Sequence, residues 1–354
     1  MNIENGIWIE DLALVNGDFW FVSGTFNGVF RYCISTKTTE FVASIPDEEY
    51  DQIRLVSNVC SYKNKIVFVP YMATKLHIFD IVTKCWTNIS LIENKIQLLF
   101  LGAQVKNTIL LIQNDLHYFV IFDIESNEKK IVKLPTTIKG VTGQGIVYDK
   151  KFCIGIRDTN QILKINLLSA KVEIIRIGNT EQVFHLFSSI GNKILMKDNF
   201  GNILSTNMDF SEMHIIYSFR DFDSKLNIND ISFLVDNILF VFLYYAPYVY
   251  IVDLKKGEQK RICNINYTKK YLIKLCRQWG FVKKIDQNIM FNFVGDNMVY
   301  SVVKDNYRKE FILEYSASFR KWLSEQIFFT PKVHIESWVY RLVDLFDYLN
   351  KEDE

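Results

Sequence analysis

Five histidines, six cysteines and a scatter of acids are the side chains with which this sequence could do chemistry. His77, His117, His185, His214 and His334 stand far apart with no ligand spacing, so neither a zinc set nor an H-E-x-x-H pair is spelled out. Cys33, Cys60, Cys85, Cys153, Cys263 and Cys276 occur singly, without a CxxC pair, as in reduced cytoplasmic chains. DFDSKLNIND (221–230) lacks the central glycine and closing glutamate of a calcium loop. GVTGQG (140–145) has the wrong spacing for a dinucleotide loop and reads as a tight approach between blades. No metal or cofactor is implied.

Aromatic rings interspersed with charges are more informative. LYYAPY (243–248) puts three tyrosines where a turn would ordinarily take asparagine or glycine, and CRQWG (276–280) sets arginine beside tryptophan. Flat rings supply contact area and charged groups supply orientation, which suits a peptide or a sugar. The candidate ligand-binding set is Tyr71, Arg157, Asp158, Lys197, Tyr244, Tyr245, Arg277 and Trp279. Tyr50, Arg54 and Arg220 lie in neighbouring connections. Asp158, Asp198, Asp230 and Asp296 are the acids that a glycoside hydrolase or lyase would need to bring together.

A repeat is what could gather these scattered residues. Strands end on a short polar residue, followed by one apolar residue and a turn, at Cys33, Asp80, Asp123, Asn166, Asn207, Asp253 and Val302. The following position is apolar every time: Ile34, Ile81, Ile124, Leu167, Met208, Leu254 and Val303. Four residues past the anchor come Lys37, Lys84, Asn127, Ala170, Ser211, Gly257 and Asn306, mostly residues that tolerate a tight turn. The anchoring Asp or Asn can accept backbone N–H bonds from its turn. Cys33 and Val302 cannot, so the first and last units are expected to turn differently.

Each unit divides into four apolar runs. The second reads LVSNVCSY (55–62), IVFVPY (66–71), LHIFDI (76–81) and WTNISL (86–91). Four short strands per unit of about 45 residues describe a propeller blade. The expected fold is all-β: a seven-bladed β-propeller of four-stranded antiparallel blades with a short α-helical C-terminal tail. The blades are placed at 7–46, 53–92, 96–135, 141–178, 183–219, 228–265 and 272–315, so 1–315 is the propeller and 316–354 a helical extension. In that extension Ile335, Trp338, Val339, Leu342, Leu345, Phe346 and Leu349 recur at steps of three and four, behind Thr330 and Pro331 as helix starters.

SNVCSYKNKIVFVPY (57–71) and IFDIVTKCWTNIS (78–90) follow the strand order of a Kelch repeat, with Pro70-Tyr71 in place of its paired glycines. Over residues 7–315 the chain resembles the Kelch and galactose-oxidase-like propellers. That resemblance implies a scaffold that binds proteins or ligands, though some relatives are enzymes.

Composition narrows the partners. Forty-one Lys and Arg balance forty Asp and Glu, which argues against nucleic acid. The greasiest window, 231–254, is broken by Asp236, Asn237 and Pro247, so no membrane helix is expected. MNIENGIWIEDLALVNGD lacks the basic start and apolar run of an export signal, so a cytoplasmic location is expected. The expected function is a non-catalytic binding propeller taking a protein, peptide or glycan at the channel mouth, with self-association through the C-terminal helix open. The alternative is a carbohydrate-active enzyme using the acids named above.

Overall fold

The computed structural model describes residues 9–312 except 25, 51, 53, 93–96, 114–115, 136–137, 220–230, 244–247, 264–278, 286–287, 294–297 and 304–305. Among these the chain forms 28 strands in seven four-stranded antiparallel sheets. Every sheet uses four consecutive strands in chain order, so each is a blade and the fold is a seven-bladed propeller. The C-terminal helix expected at 331–350 lies outside the described residues.

First strands meet around the axis. Ile9–Val15 of blade one packs against Val56–Tyr62 of blade two and Trp279–Ile285 of blade seven. Val141–Tyr148 of blade four packs against Leu99–Val105 and Phe184–Ile190. Second and third strands are sandwiched between neighbouring blades and buried on both faces, which is why they read as unbroken apolar runs rather than alternating ones. Ile66, Val67, Phe68 and Val69 are all fully buried, whereas the outermost strand Lys129–Lys133 is mostly exposed.

Apolar clusters fill the gaps between successive blades all the way round. Trp20 and Val22 meet Val59, Phe68 and Phe79 between blades one and two. Phe242 meets Phe291 between six and seven, and Phe21 and Phe30 meet Phe281 and Met290 between seven and one. Among the described residues no strand is exchanged between the first and last blades, and side chains join the two. Lys283 Nζ, in the first strand of blade seven, sits 3.0 Å from Asp11 Oδ2 in blade one. It also donates to the carbonyls of Leu12 and Val59.

The repeated Asp has the structural role its position suggests. Asp80 Oδ1 accepts the N–H groups of Val82 and Thr83, both at 2.9 Å, and Asp123 does the same for Glu125 and Ser126. Those backbone bonds hold both carboxyls below the usual range. Asn166 and Asp253 repeat the arrangement. The following apolar residue has its own reason. Its N–H reaches back to the preceding hairpin turn, Ile81 to Asn64 O and Ile124 to Asn107 O, and those two side chains join the apolar clusters between blades.

Two expectations are corrected. Blade one keeps the same turn despite Cys33: Lys37 is left-handed at φ 57, like Lys84 at 60 and Asn127 at 60. The Cys33 thiol stands in for the carboxylate, with Thr36 N and the Ser35 hydroxyl as its partners, while Asp18 Oδ1 accepts the Ile34 N–H at 3.2 Å. The corresponding turn after Val302 lies outside the described residues. In GVTGQG the close approach is within blade four, because a Cβ on Gly145 would meet the Phe152 ring at 2.3 Å. The inter-blade contacts there come from side chains: Thr142 Oγ1 donates to Phe184 O in blade five, and Gln144 Oε1 accepts Ser232 N in blade six.

Candidate functional site

The links between blades and the loops between second and third strands share one face, here called the upper face. Between blades one and two that face is tightly built. Asn27 donates from Nδ2 to Ile45 O (2.8 Å) and Glu48 O (3.1 Å) and accepts Ile45 N (2.7 Å), fixing the link on blade one. Tyr71 N and Ala73 N bond Leu55 O, fixing it on blade two.

Two side-chain groupings stand on this base. In the first, Arg54 donates from Nη2 (3.0 Å) and Nε (3.2 Å) to Glu10 Oε1. Its Cζ lies 4.5 Å from the centre of the Tyr71 ring. Glu10 belongs to the innermost strand of blade one and its side chain is 1% exposed, whereas that of Arg54 is 32% exposed. The result is a cation stacked on an aromatic face and pinned from below.

In the second grouping, His77 is fully buried, with Nε2 3.0 Å from Glu48 Oε1 and Nδ1 2.9 Å from Asn88 Oδ1. Asn88 Nδ2 faces Asp47 Oδ2 at 3.4 Å, which orients the amide with its oxygen toward the ring. Each ring nitrogen thus has a side-chain oxygen as its partner. Lys75 Nζ pairs with Asp47 Oδ2 at 2.9 Å and holds that carboxyl below the usual range. Burial alone would raise the Glu48 carboxyl. Hydrogen bonds from His77 and from Thr74 N and Oγ1 outweigh it and hold the group low.

A carboxyl depressed in the fold adds stability above its unfolded value, about 4.3 for Glu, and loses it as pH falls through the folded value. The stability advantage of the wild type over Glu48→Gln, read from urea midpoints, is therefore expected at pH 7 and to shrink well below pH 4. An equal gap at pH 7 and pH 3 would show that the carboxylate charge contributes nothing.

The eight sequence-predicted residues are not all brought together. Tyr71 is on the upper face against Arg54. Arg157 and Asp158 are exposed in the loop after Lys151–Ile156, with Asp158 left-handed at φ 59. Lys197 has no exposed surface, since it lies in the second strand of blade five, sandwiched between neighbours; an accessible lysine there is thus corrected. Trp279 opens the innermost strand of blade seven. Tyr244, Tyr245 and Arg277 lie outside the described residues, as do Asp230 and Asp296.

Among the acids weighed for catalysis, Asp198 is fully buried, and its carboxylate accepts Phe200 N, Asn202 N, Asn202 Nδ2 and Gln182 Nε2. Those bonds spend it on its own turn. Among the described residues no group of three or more His, Cys, Asp or Glu could hold a metal ion, and no helix is long and apolar enough to cross a membrane. Sequence reasoning missed Glu10, Glu48 and His77 as members of the upper-face groupings. The available signal was a pair of adjacent acids, Glu10 and Asp11, inside an otherwise apolar inner strand.

No protein-family model and no curated protein matches the chain. Solved structures do. A catalytically inactive virginiamycin B lyase from Staphylococcus aureus with quinupristin is similar at TM-score 0.61 and 10% identity, over 84% of this chain and 94% of that one. BamB from Moraxella catarrhalis is similar at TM-score 0.52 and 10% identity, over 83% and 82%. The computationally designed Ika8 protein is similar at TM-score 0.50 and 11% identity, over 84% and 96%. At these identities the likeness shows architecture alone. The chain is a β-propeller, a fold commonly used for binding or as a scaffold.

Proposed function

We propose that this is a non-catalytic binding propeller whose upper face recognises a peptide segment of a partner protein. The observation that carries this reading is the Arg54 guanidinium, stacked on Tyr71, anchored by Glu10 and still partly open to solvent. Arginine and tyrosine held rigid in this way present donors and ring area with little entropy left to lose on binding. Tyr50, 40% exposed in the adjoining link, extends the surface, and the Kelch-like strand order of blade two is in keeping with such use. Arg157, Asp158, Tyr244, Tyr245, Arg277 and Trp279 are proposed as further contacts around the mouth.

The test is to probe the full chain on peptide and glycan arrays and then measure the strongest hit with Tyr71→Ala. We expect a peptide hit that weakens about tenfold, as for a hot-spot aromatic, with an unchanged circular dichroism spectrum. Binding to glycans alone would overturn the peptide assignment. Blank arrays, or a folded Tyr71→Ala that binds as the wild type does, would overturn the reading itself.

A further inference from the structure

The link between blades one and two runs Ser44-Ile45-Pro46-Asp47-Glu48-Glu49-Tyr50 and borders an open depression of about 370 Å³. Phe41, Ser44, Ile45, Pro46, Asp47, Glu48 and Tyr50 line it. Two polar groups of its wall are available to a guest. Glu48 gathers its three hydrogen bonds on Oε1, which leaves Oε2 open toward solvent. Ser44 Oγ is buried with no hydrogen-bond partner. A buried hydroxyl without a partner costs free energy that a suitable guest would recover.

The guest's chemistry follows from the wall. A free carboxylate oxygen asks for a charged donor, and the hydroxyl can accept a second N–H. The Phe41 and Tyr50 rings with Pro46 offer apolar surface for a methylene stem and a π-face for a cation. The charge has the right sign. The Lys75 ammonium is engaged by Asp47 and His77 shares Oε1, while Glu49 adds an exposed carboxylate to the same link. We infer that this depression takes the basic side chain, lysine or arginine, of a peptide bound on the upper face. This rests on the binding reading above and adds a specificity to it.

The test uses the full chain labelled at isoleucine methyls, with buried Ile45 as the reporter in the wall. It is titrated with acetyl-Ala-Arg-Ala-amide, the lysine counterpart and the uncharged citrulline counterpart. The Ile45 resonance is expected to shift with the two basic peptides, and citrulline to bind roughly tenfold more weakly or worse, as loss of a charged hydrogen bond requires. Glu48→Gln should weaken the arginine peptide by about the same factor. Because Glu48 also holds His77, a second variant at the exposed ring, Tyr50→Ala, keeps the test clear of folding effects. It should cost about threefold, the scale of one cation–π contact.

Equal binding of citrulline and arginine would overturn the inference. So would an unmoved Ile45 while other isoleucines of the upper face shift, and that result would leave the binding reading standing. A protein that binds none of these peptides and gives blank arrays would have lost both.

Discussion

Gly155→Ala is expected to be among the most damaging single-methyl changes in this chain. Gly155 lies in the second strand of blade four, where blade five presses against it. A Cβ there would stand 1.9 Å from the carbonyl oxygen of Phe184 and 2.7 Å from Thr142 Oγ1. The first atom is backbone and cannot swing aside. The second belongs to the hydroxyl that bridges Gly155 O (3.3 Å) and Phe184 O (3.2 Å), so the methyl would strain the contact that joins the two blades. Overpacking of this kind costs roughly 1–3 kcal/mol and occasionally more, and we expect about 3 here. Gly191→Ala is the control. That glycine is left-handed at φ 56 with nothing within 4 Å of a built Cβ, so it bears backbone strain without a clash, about 1 kcal/mol. Urea unfolding should rank wild type above Gly191→Ala and Gly191→Ala above Gly155→Ala. The reverse order of the two variants would mean that blades four and five can part enough to admit a methyl group.

What could be read from the sequence was whatever is decided locally. An Asp or Asn that caps its own turn does so from two or three residues away, so its spacing repeats whether or not the blade is known. A strand buried on both faces, such as Lys65–Pro70, declares itself by an unbroken apolar run. Seven such units are countable in the sequence alone. The upper-face groupings obey no local rule. Glu10 and Arg54 are 44 residues apart, and Glu48 and His77 are 29 apart; each pair is chosen by how blade one leans on blade two. In the sequence His77 was one of five isolated histidines, with nothing to show that a link residue would reach it. Lys197 failed for a related reason. Its loop-side position suggested a rim, while the blade on either side buries it. Gly155 carried no motif either, because its importance lies in a carbonyl 29 residues further on.

Lys283→Met should open the ring at one seam. Propellers need some device to hold the last blade to the first, and here all four strands of blade seven run consecutively from Trp279 to Ile312. Among the described residues that seam is held by the apolar cluster around Phe281 and Met290 together with the Lys283 ammonium. That ammonium is shared by three blades: it sits in blade seven, pairs with Asp11 of blade one, and reaches Val59 O of blade two. Asp11 is only 7% exposed and also accepts Leu12 N and Val59 N, each at 2.8 Å. Removing the lysine leaves that carboxylate buried with two backbone donors and no cation. Breaking a buried pair from one side costs about 3–5 kcal/mol; Lys283 is 27% exposed, which lets water compensate in part, so about 2–3 is expected. Asp11→Ala should cost at least as much, since it strands two N–H groups as well as the ammonium. The double variant should fall short of the sum of the singles by about 1 kcal/mol or more, the mark of a direct interaction. Hydrogen exchange adds the location. In Lys283→Met, protection should drop first in Ile9–Val15 and Trp279–Ile285, while the strands of blades three to five keep theirs. Uniform loss around the ring, or strictly additive costs, would show that the seam is held by the apolar cluster alone.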